Sequence, residues 1–456
     1  MSSEPRELLR LLREIMILRL LDHPNIIKII DVFSPIYSPN FQLQQLYIVF
    51  EFAGENLHQF LASSHTHVLH FTESDAASIM RQMLAATGYL HRCRVIHRDL
   101  KPENVLVQRG HDGTLVVKLG DFGLCREFFE FESLGRDAVS IFQRSLPRTV
   151  SGSARLPSDG ASLAEDEMSI EQQNVMQIAA NSVGVVIDPG DNEIFDGDDM
   201  FAHPLVRQQS AFTVTPQYRA PEIYMSDGYY DQAIDVWSLG CILYDMLFIV
   251  QQNRRHSELI ASGKLPKPQT LVHRELVKFF FINILSMLSD HALQVMRQKK
   301  LFAGVDQPTL ENPSIEEDMY TRMFEVCGNP ARDTVDRMCR DRRWIPIMDA
   351  HLSRPNRGVG FKQRLPECSD LAIDLLKEML TFDNQNRISA AQAFQHAFVQ
   401  PGPKATIDDV VGHRSAVQTA KAISSMNLDL APESSREQQI STIMRAIERE
   451  RAHYVH

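Results

Sequence analysis

Basic residues are in deficit: 47 Lys and Arg stand against 58 Asp and Glu, for a formal net charge of -11. So acidic a chain is a poor match for nucleic acid or anionic lipid, both of which are bound through broad basic faces. Long apolar runs are also missing. The most apolar late stretch, 276 to 289, is interrupted by Lys278 and is too short to span a bilayer. The amino terminus, MSSEPRELLRLLRE, is charged and has no apolar signal core. Six cysteines (Cys93, Cys125, Cys241, Cys327, Cys339, Cys368) show neither the paired short spacing of a zinc site nor the density of a secreted disulfide framework. No internal repeat is present. These absences point to a soluble, cytoplasmic or nuclear protein with reduced thiols and with no nucleic-acid or membrane partner.

The remaining composition, 44% hydrophobic and 23% charged over 456 residues, is that of one large or two modest globular domains. Leu8, Leu11, Leu12, Ile15, Met16 and Leu18 recur at three- and four-residue intervals, which predicts an amphipathic helix over 5–21 that ends at Asp22-His23-Pro24-Asn25. Strands are expected at 26–33 and 46–52, separated by a Pro/Ser/Asn-rich loop. A long helix should span 74–92, and a hairpin should pair 105–107 with 115–118 around Gly110 and Gly113. Between about 128 and 209 the composition shifts to Ser, Gly, Asp and Glu, which predicts an insertion, and a second is expected at about 250–298. The acidic run 188–199 lacks the spacing and central glycine of a calcium-binding EF-hand loop. Pro401 to Pro403 marks the end of the main body. Beyond it, Ile440, Ile443, Met444 and Ile447 repeat at helical spacing, as a docking helix would.

Chemistry concentrates in one segment, Val95-Ile96-His97-Arg98-Asp99-Leu100-Lys101-Pro102-Glu103-Asn104-Val105-Leu106-Val107. It places an acid, a base and an amide within six positions of one loop, anchored by apolar runs on both sides. Phosphoryl transfer needs such a set: a carboxylate to take a hydroxyl proton, a cation on the moving phosphate, and oxygen ligands for magnesium. The segment resembles the catalytic loop of eukaryotic protein kinases. Asp121-Phe122-Gly123 and Ala220-Pro221-Glu222 follow in the order that family requires. Further motifs are similar to the mitogen-activated and cyclin-dependent (CMGC) group: Arg13-Glu14-Ile15, His23-Pro24-Asn25-Ile26-Ile27, Gly240-Cys241-Ile242-Leu243, Leu301-Phe302-Ala303-Gly304 and Phe324-Glu325-Val326-Cys327-Gly328-Asn329-Pro330.

The resemblance implies an α+β, two-lobed protein-kinase fold, with a mainly helical C-lobe and an incomplete β N-lobe. It divides the chain into a partial N-lobe at 1–52, a C-lobe at 53–400 holding both insertions, and a tail at 401–456. It implies a serine/threonine kinase using ATP and Mg2+, with protein substrates and an upstream kinase as partners. Asp99 would be the catalytic base, Lys101 would neutralise the γ-phosphate, and Asn104 with Asp121 would hold the metal. Glu51, Phe52 and Ala53 would form the hinge that meets adenine, with Leu106 and Glu14 also on the nucleotide and Phe50 at the back of its pocket. His97 and Phe122 would join the lobes, Asp235 would brace the catalytic loop, and Glu222 would pair with Arg387.

The sequence also departs from the family pattern. Met1 stands directly before the helix of Glu14, leaving no place for the Gly-rich loop or for the strand lysine that Glu14 would pair with. Because Asp99, Lys101, Asn104 and Asp121 are all intact, the expectation is a native start further upstream; the alternative is a pseudokinase acting as a scaffold. Aligned on Tyr218-Arg219-Ala220-Pro221-Glu222, the group's paired phosphoacceptors fall at Ser210 and Phe212, so only Ser210 can carry phosphate, with Arg98 and Arg126 as its receptors. Thr215 resembles the threonine that contacts the catalytic acid and lysine in serine/threonine kinases. Pro216 and Gln217 replace the group's usual arginine and tryptophan, which counts against proline-directed specificity.

Overall fold

The computed structural model describes residues 5–33, 46–64, 71–127, 216–226, 230–262, 315–353, 356, 358–400 and 413–424. The chain divides into two units, residues 1–127 with 210–456 and residues 128–209. The second lies outside the described residues, and every described element belongs to the first.

Helix α1 (Pro5–Leu20) forms where the apolar stripe predicts it, with Ile15, Ile17 and Leu18 buried. Pro24 cannot continue the helix, and the turn after it is held by side chains. His23 Nδ1 accepts from Asn25 N at 3.0 Å, and its ring stacks on Tyr89 with centroids 5.3 Å apart. Asn25 Nδ2 donates to Gln82 Oε1 and Val117 O. Burial lowers the His23 pKa to about 4, so the ring is neutral at physiological pH.

Strands β1 (Ile29–Phe33) and β2 (Tyr47–Phe50) pair antiparallel, with an irregularity between Ile29 and Asp31. The two-residue strand β3 (Glu55–Asn56) leads into helix α2 (Leu57–Ser64). Gly54 precedes β3 at φ +87°, and a Cβ there would lie 2.2 Å from Val107 O, so only glycine lets the chain approach this closely. Helix α3 (Glu73–Arg92) starts at a capping box between Thr72 and Asp75, a device whose loss typically costs about 1 kcal/mol. Strand β4 (Val95–Ile96) follows it. A hairpin of β5 (Val105–Arg109) and β6 (Leu115–Leu119) joins β3 in the order β3-β5-β6, and β4 pairs with β7 (Arg126–Glu127).

The helical body is built on α4 (Pro221–Met225), α5 (Ala233–Ala261), α6 (Ile315–Cys327), α7 (Arg332–Met338), α8 (Ile345–Leu352), α9 (Asp370–Met379) and α10 (Ala390–Phe394). Helix α5 is long and apolar enough to cross a bilayer, but 89% of its apolar window is buried inside the protein. It is a core helix, with Trp237, Ile242, Leu243, Met246 and Leu247 fully enclosed. The second insertion was expected to begin near 250, whereas α5 continues to Ala261. Gln251 and Asn253 bond Arg364 O and Phe71 O, and Arg254 pairs with Glu73, which fixes these turns to the body. Residues 263–314 lie outside the described set, as do Ile440, Ile443, Met444 and Ile447. The tail nevertheless supplies a helix, α11 (His413–Ser424), that packs on α1 and α3 through Ala416, Ala420 and Ile423.

Arg387 ties the end of the body to α4. All five guanidinium donors are used: two on the Glu222 carboxylate at 2.6 and 3.0 Å, three on the carbonyls of Ala233, Thr381 and Phe382. Its Cζ lies over the Trp237 ring, 5.0 Å from the ring centroid. Removing one partner of so buried a pair strands the other charge. Glu222→Ala is expected to destabilise the fold by about 3 to 5 kcal/mol, read as a lower midpoint in urea; an unchanged midpoint would refute this role.

Candidate active site

The loop between β4 and β5 turns on Asp235, near the start of α5. Its carboxylate is 1% exposed and accepts from the backbone N–H of His97 (2.9 Å) and of Arg98 (2.9 Å), with His91 Nε2 at 3.0 Å. Burial alone would raise its pKa, but the bond and charge of His91, the charge of His97 and the bond from Arg98 N–H outweigh that and hold it below the ordinary carboxylate range. The two backbone bonds hold Arg98 at φ +70°, a left-handed conformation that costs a non-glycine residue about 1 to 2 kcal/mol. His97 reaches the other side of the site, with Nε2 3.1 Å from Gly120 O and its ring 4.9 Å from that of Phe122.

Asp99 is buried one residue further on. Its Oδ2 accepts from Lys101 Nζ at 2.6 Å and from Asn104 Nδ2 at 3.1 Å, and Asn104 Nδ2 also caps Asp99 O at 2.8 Å. The amide of Asn104 is thus oriented through its nitrogen, which leaves Oδ1 without a protein partner among the described residues. Gly120 N donates to Asn104 O at 2.9 Å, placing Asp121 beside the same loop. Asp121 is exposed, sits at φ +58°, and its carboxylate oxygens accept no hydrogen bond among the described residues. No group of three or more His, Cys, Asp and Glu residues forms a metal cage among the described residues. One amide oxygen and one carboxylate nevertheless suit magnesium, which keeps several waters and shares phosphate oxygens rather than taking an all-protein cage.

Glu14 approaches from α1. Its Oε2 lies 3.9 Å from where a Gly123 Cβ would stand, and the backbone of Phe122 bonds it. Burial first, and the Asp121 charge second, raise its pKa to about 7. It has no lysine or arginine partner among the described residues.

The remaining predicted positions divide. Glu51 N donates to Lys28 O, and its side chain is taken by Lys28 N and Lys118 Nζ at 2.8 and 2.9 Å. Ala53 is buried and Phe52 is 81% exposed. Leu106 lies on β5, 3.7 Å from where a Gly120 Cβ would stand. Phe50, expected behind a pocket, is 37% exposed, since no further strand covers the β1–β2 ribbon among the described residues. Arg98 is 3% exposed, with Nε on Leu124 O and Nη1 on Tyr230 OH, and Arg126 pairs through its backbone with Ile96. A phosphate could reach Arg98 only by exchanging with such bonds. Ser210 and Thr215 lie outside the described residues. Sequence reasoning missed His91 and Tyr230, which bond Asp235 and Arg98 from 144 and 132 residues away along the chain; no local pattern marks either.

A buried acid paired to a lysine, an oriented amide and an open carboxylate beside it are the parts of a phosphoryl-transfer site. The protein kinase domain family matches residues 2–140 and 199–399, about three-quarters of the chain, and the chain belongs to that family. Its curated relatives include cyclin-dependent kinase E-1 of Arabidopsis thaliana, 23% identical over 399 residues, which cover 86% of this chain and 57% of that protein. Mitogen-activated protein kinase homolog NTF3 of Nicotiana tabacum is 26% identical and mitogen-activated protein kinase 13 of Homo sapiens 24%; each match covers 86% of this chain and 67% of the relative. The chain therefore spans little more than half of the first of these proteins and about two thirds of the other two.

The raised pKa of Glu14 has a sign that can be tested. A carboxyl whose folded pKa exceeds its unfolded value contributes stability that is full below about 4.5 and is lost as pH rises through about 7. Glu14→Gln should leave metal-free stability nearly unchanged at pH 5 and raise it by about 1 to 2 kcal/mol at pH 8, after allowance for solvent screening. Equal effects at both pH values would show that the Glu14 carboxyl is not raised by burial and the Asp121 charge.

Proposed function

We propose that this chain is an ATP- and magnesium-dependent serine/threonine protein kinase of the mitogen-activated type. The observation that carries this reading is the Asp99–Lys101–Asn104 set, held by Asp235 beside the open carboxylate of Asp121. The family membership supports it, since protein kinase domains generally work on ATP with Mg2+.

In this reading Asn104 Oδ1 and Asp121 would hold magnesium, which supplies charge neutralisation on the phosphates. Asp99 accepts the proton of the substrate hydroxyl as that oxygen bonds to the γ-phosphorus and the bond to the β–γ bridging oxygen breaks. The leaving ADP keeps the bond's electron pair. Lys101, 2.6 Å from Asp99 in the structure, offsets the negative charge of the moving phosphoryl group. Asn104 keeps Asp99 aimed by bonding both its carboxylate and its carbonyl. Serine and threonine are preferred over tyrosine because Thr215 resembles the threonine of that class.

A second reading, a kinase lobe serving as a non-catalytic scaffold, is favoured by one observation: Glu14 has a carboxylate and no lysine or arginine partner among the described residues. The two readings separate on Asp99→Asn, with the full-length native protein incubated with Mg-ATP and generic serine/threonine peptides. An active kinase is expected to lose at least about a hundredfold in transfer, the scale of one lost general base, with its melting temperature little changed. No transfer and no Mg-ATP stabilisation in the unsubstituted protein would establish the scaffold instead.

A further inference from the structure

The Arg98 side chain takes no part in the chemistry derived above, yet it is buried in the middle of the catalytic loop. A guanidinium held out of water is costly unless acceptors meet its N–H groups. The sequence assigned that duty to a phosphate on Ser210. The described residues already supply acceptors of their own: Nε donates to Leu124 O at 2.7 Å, and Nη1 donates to Tyr230 OH at 3.1 Å.

Both acceptors sit where they fix the loop. Tyr230 is buried and lies just before α5, in a turn where Asp231 accepts from Ala233 N at 2.8 Å. Asp235, in the first turn of α5, accepts the backbone N–H of the same Arg98. The start of α5 thus grips Arg98 by main chain and side chain together. Leu124 directly follows Asp121-Phe122-Gly123. The next residue closes that turn, with Cys125 N on Phe122 O at 3.1 Å and Cys125 Sγ donating to His97 O at 3.7 Å. The bond from Nε to Leu124 O therefore ties the segment that carries Asp121 to the loop that carries Asp99. Because the guanidinium is planar and rigid, the Tyr230 bond at Nη1 also sets the direction in which Nε points.

We propose that Tyr230 is a positioning residue whose hydroxyl holds Arg98 in the arrangement that sets Asp121 against Asp99, so that transfer needs no phosphate on the segment before Ala220-Pro221-Glu222. The inference rests on the kinase reading and deepens it by stating how the same site is regulated. A phosphate arriving at Arg98 has to shed its water and exchange with bonds that the guanidinium already makes. Replacing one charge-assisted bond by another gains little.

The test compares the full-length native protein as isolated with the same protein after phosphatase treatment, its freedom from phosphate checked by intact mass. Initial rates are read with Mg-ATP and generic serine/threonine peptides. The phosphate-free protein is expected to keep its kcat/KM to within about threefold, well under the tenfold scale of one charge-assisted bond. Tyr230→Phe, which removes only the hydroxyl, is expected to lower kcat about tenfold while KM for peptide and for ATP stays within about twofold. Tyr244→Phe removes another buried hydroxyl of α5, one bonded to Arg364 away from the loop, and is expected to keep the wild-type kcat. A loss of more than about threefold on dephosphorylation overturns the inference and leaves the kinase reading standing, whether or not the variants fold. An unchanged kcat in Tyr230→Phe also overturns it, as does an equal loss in Tyr244→Phe. No transfer in either phosphorylation state brings down the kinase reading and this inference with it, an outcome distinct from activity that depends on phosphate.

Discussion

The site depends on one buried carboxylate. Asp235 is shielded from water, and an isolated charge there would cost several kcal/mol. It stays ionised because two backbone N–H groups and His91 point at it. Those same bonds force the chain through Arg98 in a left-handed conformation and so set the direction in which Asp99 leaves the loop. Asp121 shows a second left-handed backbone, and Gly120 bonds the loop at Asn104 immediately before it. Strain at two non-glycine positions in one site is what a fold tolerates when surrounding bonds over-determine it.

Electrostatics give the arrangement its chemical sense. Glu14 and Asp121 lie close enough for their charges to interact, while the Asp99 carboxylate is paired with Lys101. Burial first and the Asp121 charge second raise the pKa of Glu14, and a divalent cation or a basic group beside the two carboxylates would lower it again. The body that holds these groups is tied at a distance by Arg387, whose five donors close the junction of α4, α5 and the segment before α10. At the other end, α11 packs on both α1 and α3, so the helix carrying Glu14 is covered by the tail.

Much of this was legible in the sequence, unevenly. The α1 stripe, the helix before the catalytic loop and the β5–β6 hairpin follow from periodicity and capping, which are local, and their observed bounds fall within a few residues of the expected ones. Asp99, Lys101, Asn104, Asp121 and the Glu222–Arg387 pair were reached through ordered motifs, and the structure brings each group together. His91 and Tyr230 were not, because their partners lie more than 130 residues away and a histidine at a helix end looks like any dipole-compensating base. The continuation of α5 past 250 was missed for a related reason: tertiary bonds from Arg364, Phe71 and Glu73 hold polar turns that propensity alone would not extend. Helix α11 carries its own signal, Ala416, Ala420 and Ile423 on one face, but small residues give a weak stripe.

The most direct measurement of the central claim is residue-resolved hydrogen exchange on the unsubstituted protein and on Asp235→Asn. If the Asp235 charge fixes the catalytic loop, the amides of His97 and Arg98 should exchange at least about tenfold faster in the variant, since a bond to a charged acceptor is worth roughly 1.5 to 3 kcal/mol. The amides of Leu243 and Leu247 in mid-α5 should stay as slow as before. Unchanged protection at His97 and Arg98 would contradict the account, because the loop would then be held by something other than this carboxylate.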